Sequence, residues 1–418
     1  MVNSTHRQVL IVGGGTAGIT VAASLRRRGG SGIDIAIVEP SDVHYYQPAF
    51  TLVGGGACSL AELRRNETAL MPPRVAWIRD AITAFDPEHN AVSLESGSRL
   101  TYDFLVVCPG LQLNWEQVEG LKDALGKNGV CSNYSPDYVE YTWECLRNLK
   151  PGATALFTQP PLPFKCPGAP QKIAYLAADH LRRKGMLKDC TLQFLTHAPT
   201  MFAVPLFAKE LKKIADSYGI NVHFQTNLVA VDSANRKATF KVLGGEKEGQ
   251  TVSLGYDVLH ATPPQSAPDF VRSSPLANAA GYVDVHQHSL QHVKYKNIFG
   301  LGDAGSTPNS KTAAAIRKQS PVVVRNLLHL IGGGALEEGY DGYASCPLTT
   351  AYGKVLMAEF IYGGKVTPTF PLDPRKERGL YWWVKTTGLP RMYWDYMLKG
   401  HEWFFKHDTN WTEPAAER

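Results

Sequence analysis

The feature that most restricts what this chain can fold into is a glycine-rich turn set between a short apolar run and a helix-forming stretch. Gln8 to Val12 reads as a buried parallel strand, because its apolar side chains run on without alternation. It leads into Gly13-Gly14-Gly15-Thr16-Ala17-Gly18 and then into a helical stretch ending near Arg28-Gly29-Gly30. Gly13 permits the tight turn, Gly15 lets the backbone approach a pyrophosphate, and Gly18 lets helix and strand pack closely. The helix N-terminus offers phosphate its unpaired N–H groups and the positive end of a dipole. A second strand, Asp34 to Val38, ends at Glu39, about 20 residues past the last glycine. A carboxylate there accepts hydrogen bonds from ribose hydroxyls and repels a 2′-phosphate. Glycines alone equally describe a turn without a ligand; strand, helix and acid together point to a dinucleotide.

Two further segments favour FAD over NAD. Tyr102 to Cys108 is a strand broken by Pro109-Gly110. It resembles the second flavin-side segment of two-dinucleotide-domain flavoproteins, although Cys108-Pro109-Gly110 stands where those have Ala-Thr-Gly. Asn297 to Asp303 resembles their late strand ending in Gly-Asp, here Gly302-Asp303, whose acid reaches the ribityl chain. A second lobe is expected from the strand Ala153 to Thr158 and the helix Ile173 to Lys184. Between them lie Pro160, Pro161, Pro163 and Pro167, which lack the N–H groups of a phosphate cradle. The electron donor is therefore expected not to be NADH.

Where a cradle is missing, a cysteine stands. Cys166 follows Lys165, precedes Pro167-Gly168 and has Lys172 nearby, and ammonium groups and a helix N-terminus both favour thiolate. A lone cysteine is more often a buried structural one. Cys346, far along the chain in Ser345-Cys346-Pro347-Leu348, also precedes proline and reads as part of a polar turn. Spacing does not show that the two meet. Cys58, Cys108, Cys131, Cys145 and Cys190 read as structural. Seven scattered cysteines with no CxxC argue against a disulfide framework or zinc ribbon. His286, His288 and His292 cluster, but their surroundings read as a strand, and no metal site is expected.

Length and charge bound the rest. At 418 residues about three domains are expected. A net charge of +5 is too small to make nucleic acid the main partner. No signal-like start and no run of about 18 apolar residues is present, so an intracellular protein, soluble or lying on a membrane, is expected.

Several stretches together resemble one family, the sulfide:quinone oxidoreductases, in the subgroup that includes the animal mitochondrial enzyme. They are Val38-Glu39-Pro40-Ser41, His44-Tyr45-Tyr46-Gln47-Pro48, Ser132-Asn133-Tyr134-Ser135, Lys165-Cys166-Pro167-Gly168-Ala169-Pro170-Gln171-Lys172, Leu259-His260-Ala261-Thr262-Pro263-Pro264, Ser310-Lys311-Thr312-Ala313-Ala314-Ala315 and Tyr343-Ala344-Ser345-Cys346-Pro347-Leu348. The resemblance covers essentially the whole chain. It implies an α/β protein with tandem Rossmann-like dinucleotide-binding domains of the FAD/NAD(P)-disulfide-reductase type and a C-terminal amphipathic membrane-associating region. The expected division is a discontinuous FAD domain at 1–115 and 285–335, a second Rossmann-like domain without an NAD cradle at 116–284, and a C-terminal region at 336–418.

Residue by residue, the resemblance implies that Gly13, Gly15, Ala17 and Gly18 hold the FAD pyrophosphate and Glu39 the adenosine ribose. Gln47, the backbone at Ile82 and Gly110 line the cofactor; Gly302, Asp303 and Lys311 stand on its ribityl and isoalloxazine side. Cys166 and Cys346 match the redox pair. Two departures are Ala304, where some relatives carry a third cysteine, and Pro167, where some relatives have alanine. The implied reaction begins with hydrosulfide attacking the oxidised pair. One cysteine becomes a persulfide, the other leaves as thiolate toward the flavin, and the flanking lysines favour Cys166 as that thiolate. A small acceptor, sulfite or a low-molecular-weight thiol, removes the sulfane sulfur, and a membrane quinone takes the electrons.

A quinone partner requires a membrane face. Trp382, Trp383, Trp394 and Trp403, with Phe404, Phe405 and Trp411, are interleaved with Arg375, Lys376, Arg378, Arg391, Lys399 and Lys406. Such a mixture suits a monotopic headgroup contact; a helical pair packed on the body is the plainer alternative. The bacterial cytoplasmic membrane is expected, or the mitochondrial inner membrane had a leader been removed. Rival readings are a type II NADH:quinone dehydrogenase, a flavocytochrome-type sulfide dehydrogenase, and a flavin-bearing scaffold without turnover.

Overall fold

A computed structural model of the chain describes residues 5–402 and 407–412. Its first sheet has seven strands. His6–Val12 lies at its centre, paired in parallel with Ile35–Val38 on one side and Arg99–Val107 on the other; Ile298–Gly300 also joins Arg99–Val107 in parallel. All four residues of Ile35–Val38 are buried, as unbroken apolar runs covered on both faces must be. The helices Thr16–Gly29 and Ala313–Ile331 pack together against it.

The second sheet is wholly parallel, in the order Val130–Cys131, Val258–His260, Thr154–Gln159, Thr191–Thr196, Asn221–His223. The helix Ala169–Arg183 crosses over it and starts directly after Gly168, four residues earlier than the pattern from Ile173 suggested. Pro170 in the first turn explains the early start: its missing N–H belongs to a position where no helical partner exists. The chain is thus two Rossmann-like α/β units in tandem.

Three local expectations are corrected. Cys346 is not in a polar turn; it sits in the strand Ala344–Ala351, which forms a hairpin with Lys354–Phe360. Pro347 is tolerated there because a two-stranded hairpin leaves outward positions where no N–H is needed. The hairpin lies on the helix Ala169–Arg183. The segment around His286 to His292 is no strand but a series of turns with isolated bridges. His288 Nδ1 faces the Tyr340 carbonyl at 2.7 Å and His292 Nε2 the Leu276 carbonyl at 3.1 Å.

The third correction concerns the C-terminal segment. Gly379–Lys399 is a run of short helical pieces that includes two π-helical stretches, Val384–Gly388 and Met392–Tyr396. It is not simply an appended surface. Tyr393, Met397 and Leu398 belong to the core of the first unit, and Tyr381 and Lys385 are buried too. Leu380, Trp383 and Tyr396 are its exposed large side chains. Trp403, Phe404, Phe405 and Lys406 lie outside the described residues. Among the described residues no helix is long and apolar enough to cross a membrane.

Candidate active site

The glycine turn has the shape the motif requires. Gly13 has φ +99°, and a Cβ there would lie 2.7 Å from the Cys108 carbonyl oxygen. A Cβ on Gly18 would lie 1.9 Å from the Gly13 oxygen, whereas nothing stands within 4 Å of one on Gly15. Gly15 therefore faces open space at the mouth of the first helix, as a pyrophosphate cradle demands. Ala17 is buried in that helix's first turn. Glu39 accepts from Gly14 N at 2.7 Å with Oε2 and from Ser41 N at 2.8 Å with Oε1. Burial pushes its carboxyl up, against these two bonds. A carboxylate has about four lone-pair sites, so capacity for ribose hydroxyls remains.

Gly110 (φ +78°) also faces open space. Gly302 gives its N–H to Gln319 Oε1 at 2.8 Å and turns the chain at φ +71° beside Ala17. Asp303 and Lys311 are groups of opposite charge that act on each other: burial pushes the Asp303 carboxyl up and the Lys311 ammonium down to about 8, each resisted by the other. Lys311 Nζ also donates to the Gly305 carbonyl. Gln47 is reached by Lys165, whose Nζ donates to its Oε1 at 2.8 Å. Ile82 opens a short strand and points its side chain into the core, so only its backbone is free to line a ligand. The glycines, the acid at the end of the second strand and the Asp303–Lys311 pair together fit FAD.

The two thiols meet. Cys166 Sγ and Cys346 Sγ are 3.7 Å apart, although far separated in sequence. Three features hold Cys166. Its N–H donates to the Lys311 carbonyl at 2.9 Å, which ties the thiol to the backbone of a residue expected at the flavin. Its own carbonyl accepts from Ala169 N at 2.8 Å. Between these two bonds it is kept at φ +53°, a region that non-glycine residues rarely occupy. The helix Ala169–Arg183 begins three residues on and presents its positive end to the sulfurs.

The charges around the pair are unequal. Lys172, buried one turn into that helix, donates Nζ to Cys166 Sγ at 3.2 Å. Donation from the Cys346 thiol, and then the Lys172 charge, hold the Cys166 thiol well below its ordinary range, against burial. The same bond and burial push Cys346 well up. Burial works against the Lys172 charge, but the two sulfurs outweigh it and keep the ammonium above its ordinary range.

Gly168 allows this contact. A Cβ there would fall 2.7 Å from Cys346 Sγ and 2.4 Å from Leu348 Cδ2. Gly168→Ala is expected to push the hairpin away and cut sulfide-driven flavin reduction by roughly tenfold or more, as overpacking of about 1–3 kcal/mol implies. FAD content should be unchanged; stopped-flow bleaching at wild-type rate would show that the contact is slack.

Two residues near the thiols were not singled out from the sequence. Lys385, within the aromatic C-terminal segment, is 4% exposed and electrostatically in touch with Cys166, Cys346, Lys172 and Cys58. Burial, and then the Lys172 charge, push its ammonium down to about 7. Tyr134, quoted only as part of a stretch, is buried near both sulfurs; burial and the charge of Cys166 push its phenol well up, so it stands there as a protonated group. The period of buried side chains in the C-terminal segment could have flagged Lys385; nothing in the sequence marks Tyr134.

Residues 7–135 match the pyridine nucleotide-disulphide oxidoreductase family. The chain is 44% identical to a sulfide:quinone oxidoreductase, mitochondrial, of Dictyostelium discoideum, over 96% of this chain and 87% of that one. It is 41% identical to the protein of the same name from Mus musculus, over 95% and 87%. The solved sulfide:quinone oxidoreductase of Aquifex aeolicus superposes with a TM-score of 0.78 at 19% identity, over 94% of this chain and 92% of that one, which shows a shared fold. Identity of this order along nearly the whole length, on this fold, settles the family: the chain belongs to the FAD-binding sulfide:quinone oxidoreductases.

Proposed function

We infer that this protein oxidises hydrogen sulfide at the Cys166–Cys346 pair and passes two electrons through FAD to a quinone. The observation that carries this is the thiol contact, joined by the Cys166 backbone to Lys311 on the flavin side. With the pair oxidised to a disulfide, hydrosulfide attacks Cys346 Sγ. The S–S bond breaks, Cys346 becomes a persulfide, and Cys166 leaves as thiolate. The direction follows from the charges: the sulfur with the lower thiol pKa is the better leaving group, and Lys172 receives it. A small nucleophile, sulfite or a low-molecular-weight thiol, then attacks the outer sulfur of the persulfide and carries it off, which leaves Cys346 as thiolate. The two thiolates re-form the disulfide and release two electrons. FAD, when bound, supplies the two-electron relay from this pair to the quinone.

The protein's own contribution is electrostatic. Lys172 and the helix end stabilise negative charge on Cys166 at the moment it forms. Asp303 and Lys311 place opposite charges at the expected flavin side, each partly offsetting the cost of the other's burial. The second unit supplies no phosphate cradle, since its first strand runs into prolines 160, 161 and 163, and a nicotinamide donor finds no site there.

We also propose that the protein lies on a membrane through Leu380, Trp383 and Tyr396, with Lys376, Arg391 and Lys399 exposed around them. The curated relatives matched above are named mitochondrial, which supports an organelle membrane over the bacterial one. We propose further that the chain divides at 1–115 with 285–335, 116–284 and 336–418, in keeping with strands of the first sheet drawn from His6–Val107 and Ile298–Gly300.

The test is anaerobic addition of sulfide to the purified protein while the flavin spectrum is followed. Bleaching by sulfide, recovery on adding a soluble quinone, and no bleaching by NADH are expected. Bleaching by NADH with none by sulfide would overturn the reading in favour of an NADH:quinone dehydrogenase.

A further inference from the structure

A buried chain of polar contacts joins the C-terminal segment to the glycine loop. Glu67 Oε2 lies 3.3 Å from His44 Nδ1, and His44 Nε2 lies 2.5 Å from the Tyr393 hydroxyl. That hydroxyl stands 2.8 Å from Thr16 Oγ1. Glu67, His44 and Tyr393 are each at least nineteen-twentieths buried. Thr16 is the first residue of the helix whose N-terminus forms the pyrophosphate cradle. Glu67 stands as a close polar contact on one side of the ring, and the Tyr393 hydroxyl takes the nitrogen on the other. Tyr393 then bridges ring and helix.

Other contacts say that the segment grips this helix. Ser24 Oγ donates to the Gly400 carbonyl at 3.3 Å, and Arg28 pairs with Glu402 at 2.7 Å. A Cβ on Gly400 would lie 2.5 Å from the Ala23 backbone, so helix and segment touch main chain to main chain. The loop side shows a vacancy of bonding. Glu67 Oε1 is buried and accepts no hydrogen bond, and it lies where a Cβ on Gly14 would be 2.9 Å away. Buried polar atoms are nearly always paired, so an unpaired carboxylate oxygen beside the loop marks a place that a bound molecule completes.

We propose that Tyr393 is a positioning residue for FAD: through Thr16 it holds the glycine loop in its receiving shape, so that seating of the C-terminal segment and FAD binding are one linked equilibrium. Linkage is reciprocal. FAD tightens residues 384–402, and a loosened segment releases FAD. Because the same segment carries Lys385 to the thiols, loss of seating also strips charge from the sulfur site.

The full-length protein, stripped of FAD and retitrated, tests this. Tyr393→Phe keeps the ring contacts with Tyr46 (4.8 Å) and Trp394 (4.9 Å) and removes only the bridge. Its FAD dissociation constant is expected to rise roughly tenfold, the scale of one lost buried hydrogen bond. Thr16→Val should do the same, and the double variant should be little worse than either single one. In the wild type, FAD should slow amide exchange across 384–402; in Tyr393→Phe that protection should shrink. Variants that melt earlier yet bind FAD as the wild type does would overturn the proposal, leaving a merely structural role. So would wild-type exchange in 384–402 that ignores FAD. The proposal rests on the cradle reading: wild-type protein taking up no FAD overturns both, whereas normal uptake with unchanged variants overturns only the coupling.

Discussion

Cys346→Ser is expected to lower sulfide-dependent quinone reduction by roughly three orders of magnitude or more, the scale on which removal of a reacting nucleophile acts. Without that sulfur no disulfide forms, hydrosulfide has nothing to attack, and no persulfide is made. Cys166→Ser should fall as far, because the leaving thiolate is gone. The two variants should still differ in a way that reports the roles. In Cys346→Ser, the remaining Cys166 keeps Lys172 at 3.2 Å and the helix end behind it, so it should be alkylated rapidly near neutral pH. In Cys166→Ser, the remaining Cys346 is 1% exposed and buried under its hairpin, and should react slowly. Mass spectrometry of the labelled peptides separates these thiols from the other five. Sulfide turnover near the wild-type rate in either variant would remove the thiol pair from the mechanism.

Much of the fold was legible because it follows from local chemistry. Gly13, Gly15 and Gly18 occupy their places for backbone reasons that a sequence states outright: a positive φ, open space, and a contact with no room for a Cβ. The site was legible only in part. Cys166 announces itself through its neighbours Lys165 and Lys172. Cys346 does not, because Ser-Cys-Pro in isolation reads as a turn. Only the tertiary pairing with Lys354–Phe360 makes it a strand. Its pairing with Cys166 follows from the family resemblance and not from spacing. Lys385 is harder to read, because its neighbours Trp382-Trp383-Val384 set large apolar side chains beside a basic one and so resemble an interface. The buried positions Tyr381, Lys385, Tyr393 and Met397 nonetheless fall four residues apart or at multiples of four, which puts them on one helix face. That face carries the core side chains of a segment expected to lie on a membrane. Truncating after Pro371 would thus remove Tyr381, Tyr393, Met397 and Leu398 from the core along with any membrane contact.

Lys172→Met is the second large effect, and its sign follows from the charges. In the wild type the Lys172 ammonium touches Cys166 Sγ and is itself held protonated by the sulfurs, so it stays charged through the working pH range. An opposite charge at this distance lowers a thiol's pKa by about one to three pH units, so the alkylation midpoint of Cys166 should move up by that amount in Lys172→Met. The leaving thiolate then forms less readily, and sulfide-driven flavin reduction should slow by about tenfold or more at neutral pH. Recovery at alkaline pH should be partial, since higher pH restores the thiolate but not the ammonium that receives it. Lys385 predicts a different profile. Its ammonium is pushed down to about 7, so its charge is present below that pH and is lost as the pH rises through it. In the wild type its help to Cys166 therefore fades above about 7, while that of Lys172 persists. Lys172→Met also removes the like charge that presses on Lys385, so the Lys385 titration should move upward and its charge should persist to higher pH. A Cys166 alkylation midpoint that does not move in Lys172→Met would show that the helix end alone sets the thiolate, and would move the leaving-group argument off the lysine.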